Sequence, residues 1–309
     1  MLAMSLATRP QPQIAPSIKP SCVGLLAGWG RYPLVVAEAL KAQGHRVACL
    51  GLKGHADPVL AEMCDDFAWL GLGKLGFAIR YFRRQGAQQA TMAGKVHKVV
   101  LYQPWLWLKH LPDWKCIQTF YPHFVTTKKD RKDDTLLGAV VQVFADHGIE
   151  FGPATDYAPE LLVKFGVLTR RAPSHAQQKD IEFGWQLAKE MGRLDVGQSV
   201  AVKDRAALAI EAIEGTDQCI RRAGDLCAAK EFVVVKVAKP QQDMRFDVPT
   251  IGLGTLETMV SAGARVLAIE AGRTIIIDER DVVQFADRHK LAIVALEADG
   301  LCQQLPAGE

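Results

Sequence analysis

Nowhere does the chain hold an apolar run of the ~18 residues that a membrane-spanning helix needs, so it does not read as an integral membrane protein. Nor does it carry much charge of either sign. Against 37 Lys and Arg stand 34 Asp and Glu, and the formal net charge of +3 is too small for a general nucleic-acid binder. CxxC pairs are absent. The seven cysteines, at positions 22, 49, 64, 116, 219, 227 and 302, are irregularly spaced, which argues against a zinc site and suits reduced, mostly buried thiols in a cytoplasmic protein. The eight histidines (45, 55, 97, 110, 123, 147, 175 and 289) show no ligand spacing. Ser199 has no nucleophile-elbow context and Cys219 no evident base partner. The opening residues hold Pro10, Pro12, Pro16 and Pro20 but no long apolar stretch, so a disordered arm over 1–21 is expected rather than a secretory signal. Beyond that arm there is no low-complexity block, and no internal repeat anywhere.

What is present suits an ordinary globular protein. The 309 residues, 49% hydrophobic and 23% charged, suffice for two domains and a sizeable core. Strands are expected at Val23–Ala27, Arg46–Leu52 and Gln89–Ala93. Helices are expected at Leu34–Ala42 (closed by Gly44), Leu75–Arg84 (closed by Gly86) and Asp133–His147 (closed by Gly148). Strand alternating with helix at this spacing predicts a small Rossmann-like parallel sheet. A linker is expected within Arg170–Gln178, dividing an N-terminal domain over 22–170 from a C-terminal catalytic domain over 178–305. The second half opens with a helix at Lys179–Met191, closed by Gly192. Apolar runs follow at Ser199–Val202, Leu208–Ile213, Phe232–Val237, Val266–Ile269, Thr274–Ile277 and Ile293–Leu296. The fold class is therefore α/β, with two α/β domains joined by a linker.

The densest chemistry lies in Lys239-Pro-Gln-Gln-Asp-Met-Arg-Phe-Asp-Val-Pro-Thr-Ile-Gly252, directly after an apolar run. Ligands of open α/β sheets bind outside the carboxyl ends of strands. Lys239 and Arg245 can hold phosphate, Asp243 and Asp247 a divalent cation, and Pro240 and Pro249 fix backbone φ in a loop of defined shape. Glu214-Gly-Thr-Asp217 also follows an apolar run, Ala206–Ile213. Two acid-bearing loops after two strands point to a phosphorylated ligand and a metal. The segment Gly24-x-x-x-Gly28-x-Gly30-x-x-Pro33 departs from the dinucleotide fingerprint at its last position, and the second strand ends at Lys53 with no acid for a ribose hydroxyl. It reads equally as a phosphate- or sugar-binding glycine turn and as a tight strand-to-helix turn. Trp105, Trp107 and Trp114, with Tyr102, Phe120, Tyr121 and Phe124, precede the basic run Lys128–Lys132. That stretch suits either weak membrane contact or a core helix with a solvated basic end.

Taken together, Gly24-Leu-Leu-Ala-Gly-Trp-Gly-Arg-Tyr-Pro33, Met92-Ala-Gly-Lys95, Lys132-Asp-Asp134, Gly192-Arg-Leu-Asp-Val-Gly-Gln198, Glu211-Ala-Ile-Glu-Gly-Thr-Asp217, the Lys239–Gly252 segment and Glu270-Ala-Gly-Arg273 resemble the LpxI-type UDP-2,3-diacylglucosamine pyrophosphatases. The resemblance runs from about Cys22 to Leu296, in order and without large gaps. It departs in the Pro-rich arm and in the aromatic stretch after Lys98. It implies two domains holding a lipid nucleotide between them. The implied reaction is Mg2+-dependent hydrolysis of UDP-2,3-diacylglucosamine to UMP and 2,3-diacylglucosamine 1-phosphate, a step of lipid A synthesis. The setting it implies is the cytoplasmic face of the inner membrane, with peripheral association, no nucleic-acid partner, and homodimerisation by family habit.

The family's essential aspartate falls on Asp247, which the resemblance makes catalytic and a metal ligand. Asp217, catalytic and metal-binding, and Glu214, metal-binding, come next, and Asp243 after them. The substrate-binding set is Gly28, Gly30, Lys95, Thr216, Lys239, Gln242, Arg245 and Thr250. Magnesium takes one or two carboxylates plus substrate phosphates, which suits these loops. Two rival classes remain: a nucleotide-sugar or dinucleotide enzyme using Gly28 and Gly30, marked by tight NAD(P) binding, and a lipid-nucleotide binder that releases no UMP.

Overall fold

The structure is a computed structural model, and it describes residues 21–96, 111–125, 133–245 and 248–300. The arm expected over 1–21 lies outside the described residues but for Ser21, as do Tyr102, Trp105, Trp107, Lys128–Lys132 and the tail from 301.

The first domain is built on five strands: β1 (Cys22–Ala27), β2 (Arg46–Leu52), β3 (Asp66–Leu70), β4 (Gln89–Ala93) and β5 (Glu150–Phe151). They lie in the order β3-β2-β1-β4-β5, and every pairing is parallel. Central β1 and β2 are covered on both faces, which is why they read as near-continuous apolar runs. Helix α1 (Tyr32–Ala42) has Pro33 in its first turn, where a missing N–H costs nothing. Short α2 (Leu60–Met63) and edge strand β3 escaped sequence reading, because Asp-Phe-Ala-Trp-Leu is half-exposed and lacks an apolar run. Helices α3 (Leu75–Gln85), α4 (Trp114–Val125) and α5 (Asp133–Ala145) complete the domain. The cluster of Leu50, Ile79, Phe82, Phe144 and Ile149 forms the core beneath them.

The second sheet has six strands in the order β6-β13-β11-β9-β7-β8. These are β6 (Gly166–Val167), β7 (Ser199–Lys203), β8 (Ala206–Ile210), β9 (Phe232–Lys236), β11 (Ala264–Glu270) and β13 (Ala292–Leu296). Strands β9, β11 and β13 run parallel, while β7 and β6 run against their neighbours. Helix α6 (His175–Arg193) covers one face and starts with a capping box in which Ser174 and Gln177 satisfy each other's backbone amides. Helices α7 (Thr216–Leu226), α8 (Leu253–Ala262) and α9 (Glu279–Arg288) belong to this domain too.

Three expectations shift. The boundary was expected within 170–178, but Gly166–Val167 already pairs with β13, so the second sheet takes in chain from ahead of that segment. Gly192 does not close α6, which runs through it to Arg193. A Cβ there would come within 3.3 Å of Lys239 Cα and Pro240 Cδ, so the bare glycine lets the next loop lie against the helix. The apolar run Ala206–Ile213 yields a strand only to Ile210, and Ile213 is fully exposed.

A two-stranded ribbon, β10 (Thr250–Ile251) and β12 (Ile275–Ile276), joins the halves. Ile275 is buried in the cluster that forms the first domain's core with Val36 and Leu40, and Val248 and Ile277 pack against the same cluster. Arg31, at the start of α1, forms a 2.6 Å ion pair with Asp278.

Candidate active site

The acid and hydroxyl groups that the sequence scatters gather at the carboxyl edge of the second sheet. Ser199 begins β7, and Glu211 follows β8. Lys236 ends β9, and Glu270 ends β11. Because β7 runs against β9, its first residue stands beside the last of β9, and Ser199 pairs with Lys236. Strand direction thus brings together residues from four separate segments, at the place where open α/β sheets bind ligands.

Two helices point their N-termini at this edge. Gly215, at φ 83°, precedes α7, and Gly252 precedes α8. Their first turns are tied together by the Thr255 hydroxyl, which donates to Asp217 Oδ1 at 3.3 Å. Around Gly252 and Gly254 an added Cβ would meet nothing within 4 Å, so the start of α8 is open to a ligand. First-turn amides of a helix have no partner within it and favour anions. Thr216 donates its hydroxyl to Glu211 Oε1 at 3.0 Å and lies 3.3 Å from Ser199 Oγ. Glu211 is buried, and its other oxygen, Oε2, has no hydrogen-bond partner among the described residues.

The predicted residues fall into distinct situations. Asp217 stands in the first turn of α7, half-buried. Glu214 is turned toward Arg222, at 2.8 Å, and toward the Ala212 amide, at 3.1 Å, so a metal would have to compete with both. Lys239 Nζ donates to Asp195 at 2.7 Å. Arg245 closes on Asp243 with Nε at 2.9 Å and Nη2 at 2.5 Å, and these charge-assisted bonds hold the Asp243 carboxyl below its usual range and raise the guanidinium. Gln242 is buried. Its side-chain oxygen accepts from the Lys239 backbone amide and its backbone N–H donates to Lys239 O, which places it in the loop's internal framework. The Thr250 hydroxyl donates to Val248 O, and the Thr250 backbone carbonyl accepts from Lys236 Nζ at 3.2 Å. Asp247 lies outside the described residues, between Arg245 and Val248.

In the first domain, Gly28 and Lys95 meet, while an added Cβ on Gly30, at φ 103°, would touch nothing within 4 Å. The turn after β1 crosses the chain leaving β4, with Trp29 N donating to Lys95 O at 2.8 Å and Lys95 N to Trp29 O at 2.9 Å. A Cβ on Gly28 would stand 2.7 Å from Lys95 O, and Gly94, at φ 92°, is equally crowded by Pro33 and Trp29. These glycines therefore have a packing reason that needs no ligand. Sequence reading missed Glu211, Lys236, Thr255 and Glu270 as site residues. For Glu211, Lys236 and Glu270 the available signal was a charge at the end of an apolar run.

Set beside known proteins, the chain matches two family models: LpxI N-terminal domain over residues 22–161 and LpxI C-terminal domain over residues 164–294. It is also 31% identical over 282 residues to the UDP-2,3-diacylglucosamine pyrophosphatase LpxI of Caulobacter vibrioides, covering 89% of this chain and 97% of that protein.

Proposed function

The chain belongs to the LpxI family, and from that premise we propose that it is a diphosphatase acting on an acylated UDP-sugar. The reaction is hydrolysis of UDP-2,3-diacylglucosamine: water adds to one phosphorus, the P–O–P bridge breaks, and UMP and 2,3-diacylglucosamine 1-phosphate leave, within lipid A biosynthesis. The observation that carries this reading is the meeting of Glu211, Thr216, Asp217 and Lys236 with the start of α8 at one sheet edge.

Hydrolysis of a pyrophosphate requires its oxygens to be neutralised and a water to be positioned. Helix N-termini, Lys236, Lys239 and Arg245 supply positive potential from several directions, and Arg245 can grip a phosphate in bidentate fashion once it exchanges Asp243 for substrate. Asp247 and Asp217 are the carboxylates we assign to Mg2+, with Asp247 also orienting the attacking water. Glu214 joins them only by giving up Arg222. The donor chemistry fits. These are hard oxygen ligands, and the ion needs only one or two of them beside the phosphates. When bound, Mg2+ screens the two phosphates and makes a coordinated water more acidic.

An acylated substrate calls for work at a membrane surface, and we assign the enzyme to the cytoplasmic face of the inner membrane as a peripheral protein. No helix among the described residues is long and apolar enough to cross a membrane, while Trp114, 71% exposed at the start of α4, offers an interfacial anchor. The test is UMP release from UDP-2,3-diacylglucosamine, alongside an NAD(P) titration. Metal-dependent release without dinucleotide binding supports the proposal. Lipid-nucleotide binding without release turns it into a binder.

A further inference from the structure

Just past β9, the Val237 amide donates to Gln198 O at 3.0 Å. The next residue, Ala238, is fully buried. A buried backbone group away from water must find a partner or destabilise the fold. For Ala238 the partners are side chains. Its amide donates to Glu270 Oε2 at 2.8 Å, and its carbonyl accepts from Lys189 Nζ at 3.2 Å. Those two side chains form an ion pair at 2.7 Å, with the Glu270 side chain 0% exposed. Arg273 Nη1 stands 3.8 Å from the other Glu270 oxygen.

A buried ion pair of this kind is a poor device for stability alone, since desolvation offsets much of its attraction and apolar residues often serve as well. What it does supply is a donor and an acceptor on both main-chain groups of one residue. That residue immediately precedes Lys239, where the loop proposed to hold phosphate begins. Helix α6 continues the hold: Gly192 admits the backbone of Lys239 and Pro240, and Asp195, just beyond the helix, takes Lys239 Nζ. We infer that Glu270 and Lys189 are positioning residues, which clamp Ala238 and thereby set where the 239–245 loop leaves the sheet. The inference rests on the diphosphatase reading for its effect on turnover, but not for its effect on the loop.

The test uses the full chain and the Lys189→Met/Glu270→Gln double variant, which leaves neither charge buried without its partner. Amide hydrogen exchange is followed over 238–245 and over β13 as a control, together with kcat and KM on UDP-2,3-diacylglucosamine. The clamp predicts exchange about tenfold faster in 238–245 and unchanged in β13. It also predicts kcat lower by roughly tenfold or more with KM moved less than about twofold. Lys189→Arg, which keeps a cation against Glu270, recovers most of both. Glu270→Gln alone retains an acceptor for the Ala238 amide and leaves Lys189 partly exposed, and it gives the same regional change at smaller amplitude. Wild-type exchange over 238–245 in the double variant overturns the inference, as does a kcat equal to wild type. Faster exchange there, in a protein whose parent releases no UMP, upholds the clamp and removes only the diphosphatase reading.

Discussion

Both sheets contain a run of parallel strands, yet their carboxyl edges present opposite chemistry. In the first domain, the turn after β1 and the exit of β4 cross so closely that glycine backbones fill the space. In the second, the equivalent edge carries Glu211, Lys236 and Glu270 at strand ends and two helix N-termini around them. If the second edge is the reactive one, as proposed, a Rossmann-like sheet does not by itself mark it. Function follows the side chains placed at the edge, not the order of the strands.

The sharpest way to break this comparison is to remove an acid from the second edge. Asp217→Asn should lower kcat by about 10²-fold, the scale of losing a major electrostatic element, while thermal unfolding stays close to that of the parent. If turnover persists, the second edge is not the reactive one. In the first edge, Gly28→Ala should destabilise the fold by about 1–3 kcal/mol, the usual cost of overpacking, because its Cβ would press on Lys95 O. Urea unfolding measures this, and an unchanged midpoint would show that the crossing has slack.

A smaller effect concerns Asp243. Its folded-state pKa is depressed by the hydrogen bonds from Arg245, so the contribution of the pair is whole above the ordinary carboxylate pKa of about 3.9 and is lost as pH falls through the lower folded value. Carboxyl NMR titration should find the Asp243 midpoint below that ordinary value, rising toward it in Arg245→Ala. A midpoint that ignores Arg245 would break the pair. Smallest of all, Arg31→Ala should cost less than about 1 kcal/mol, since both partners of its ion pair with Asp278 are substantially exposed. A large loss on thermal unfolding would mean that this contact, and not burial of Ile275, holds the domains together.

Central β1, β2 and β9 were legible because strands covered on both faces are continuous apolar runs. Edge strand β3 was not, since its half-exposed residues mix Asp, Trp and Phe. Gly192 was read as a stop signal, and local sequence cannot reveal that a loop 47 positions later lies against it. The loop at 214–217 and the segment from Lys239 could be found because charge follows apolar runs, whereas Glu211 lay inside the run read as Ala206–Ile213. Yet Lys189 and Glu270 are 81 positions apart, and nothing local announces that they meet on Ala238. Glu214 looked like a metal ligand by composition, but Arg222, two helical turns away in sequence, already occupies it.

The most direct measurement is UMP release from UDP-2,3-diacylglucosamine with Mg2+ and with EDTA, for the parent chain and for Asp247→Ala. Release should require the metal and fall by roughly 10²-fold or more in the variant. Release that ignores EDTA, or an Asp247→Ala protein that turns over like its parent, would contradict it.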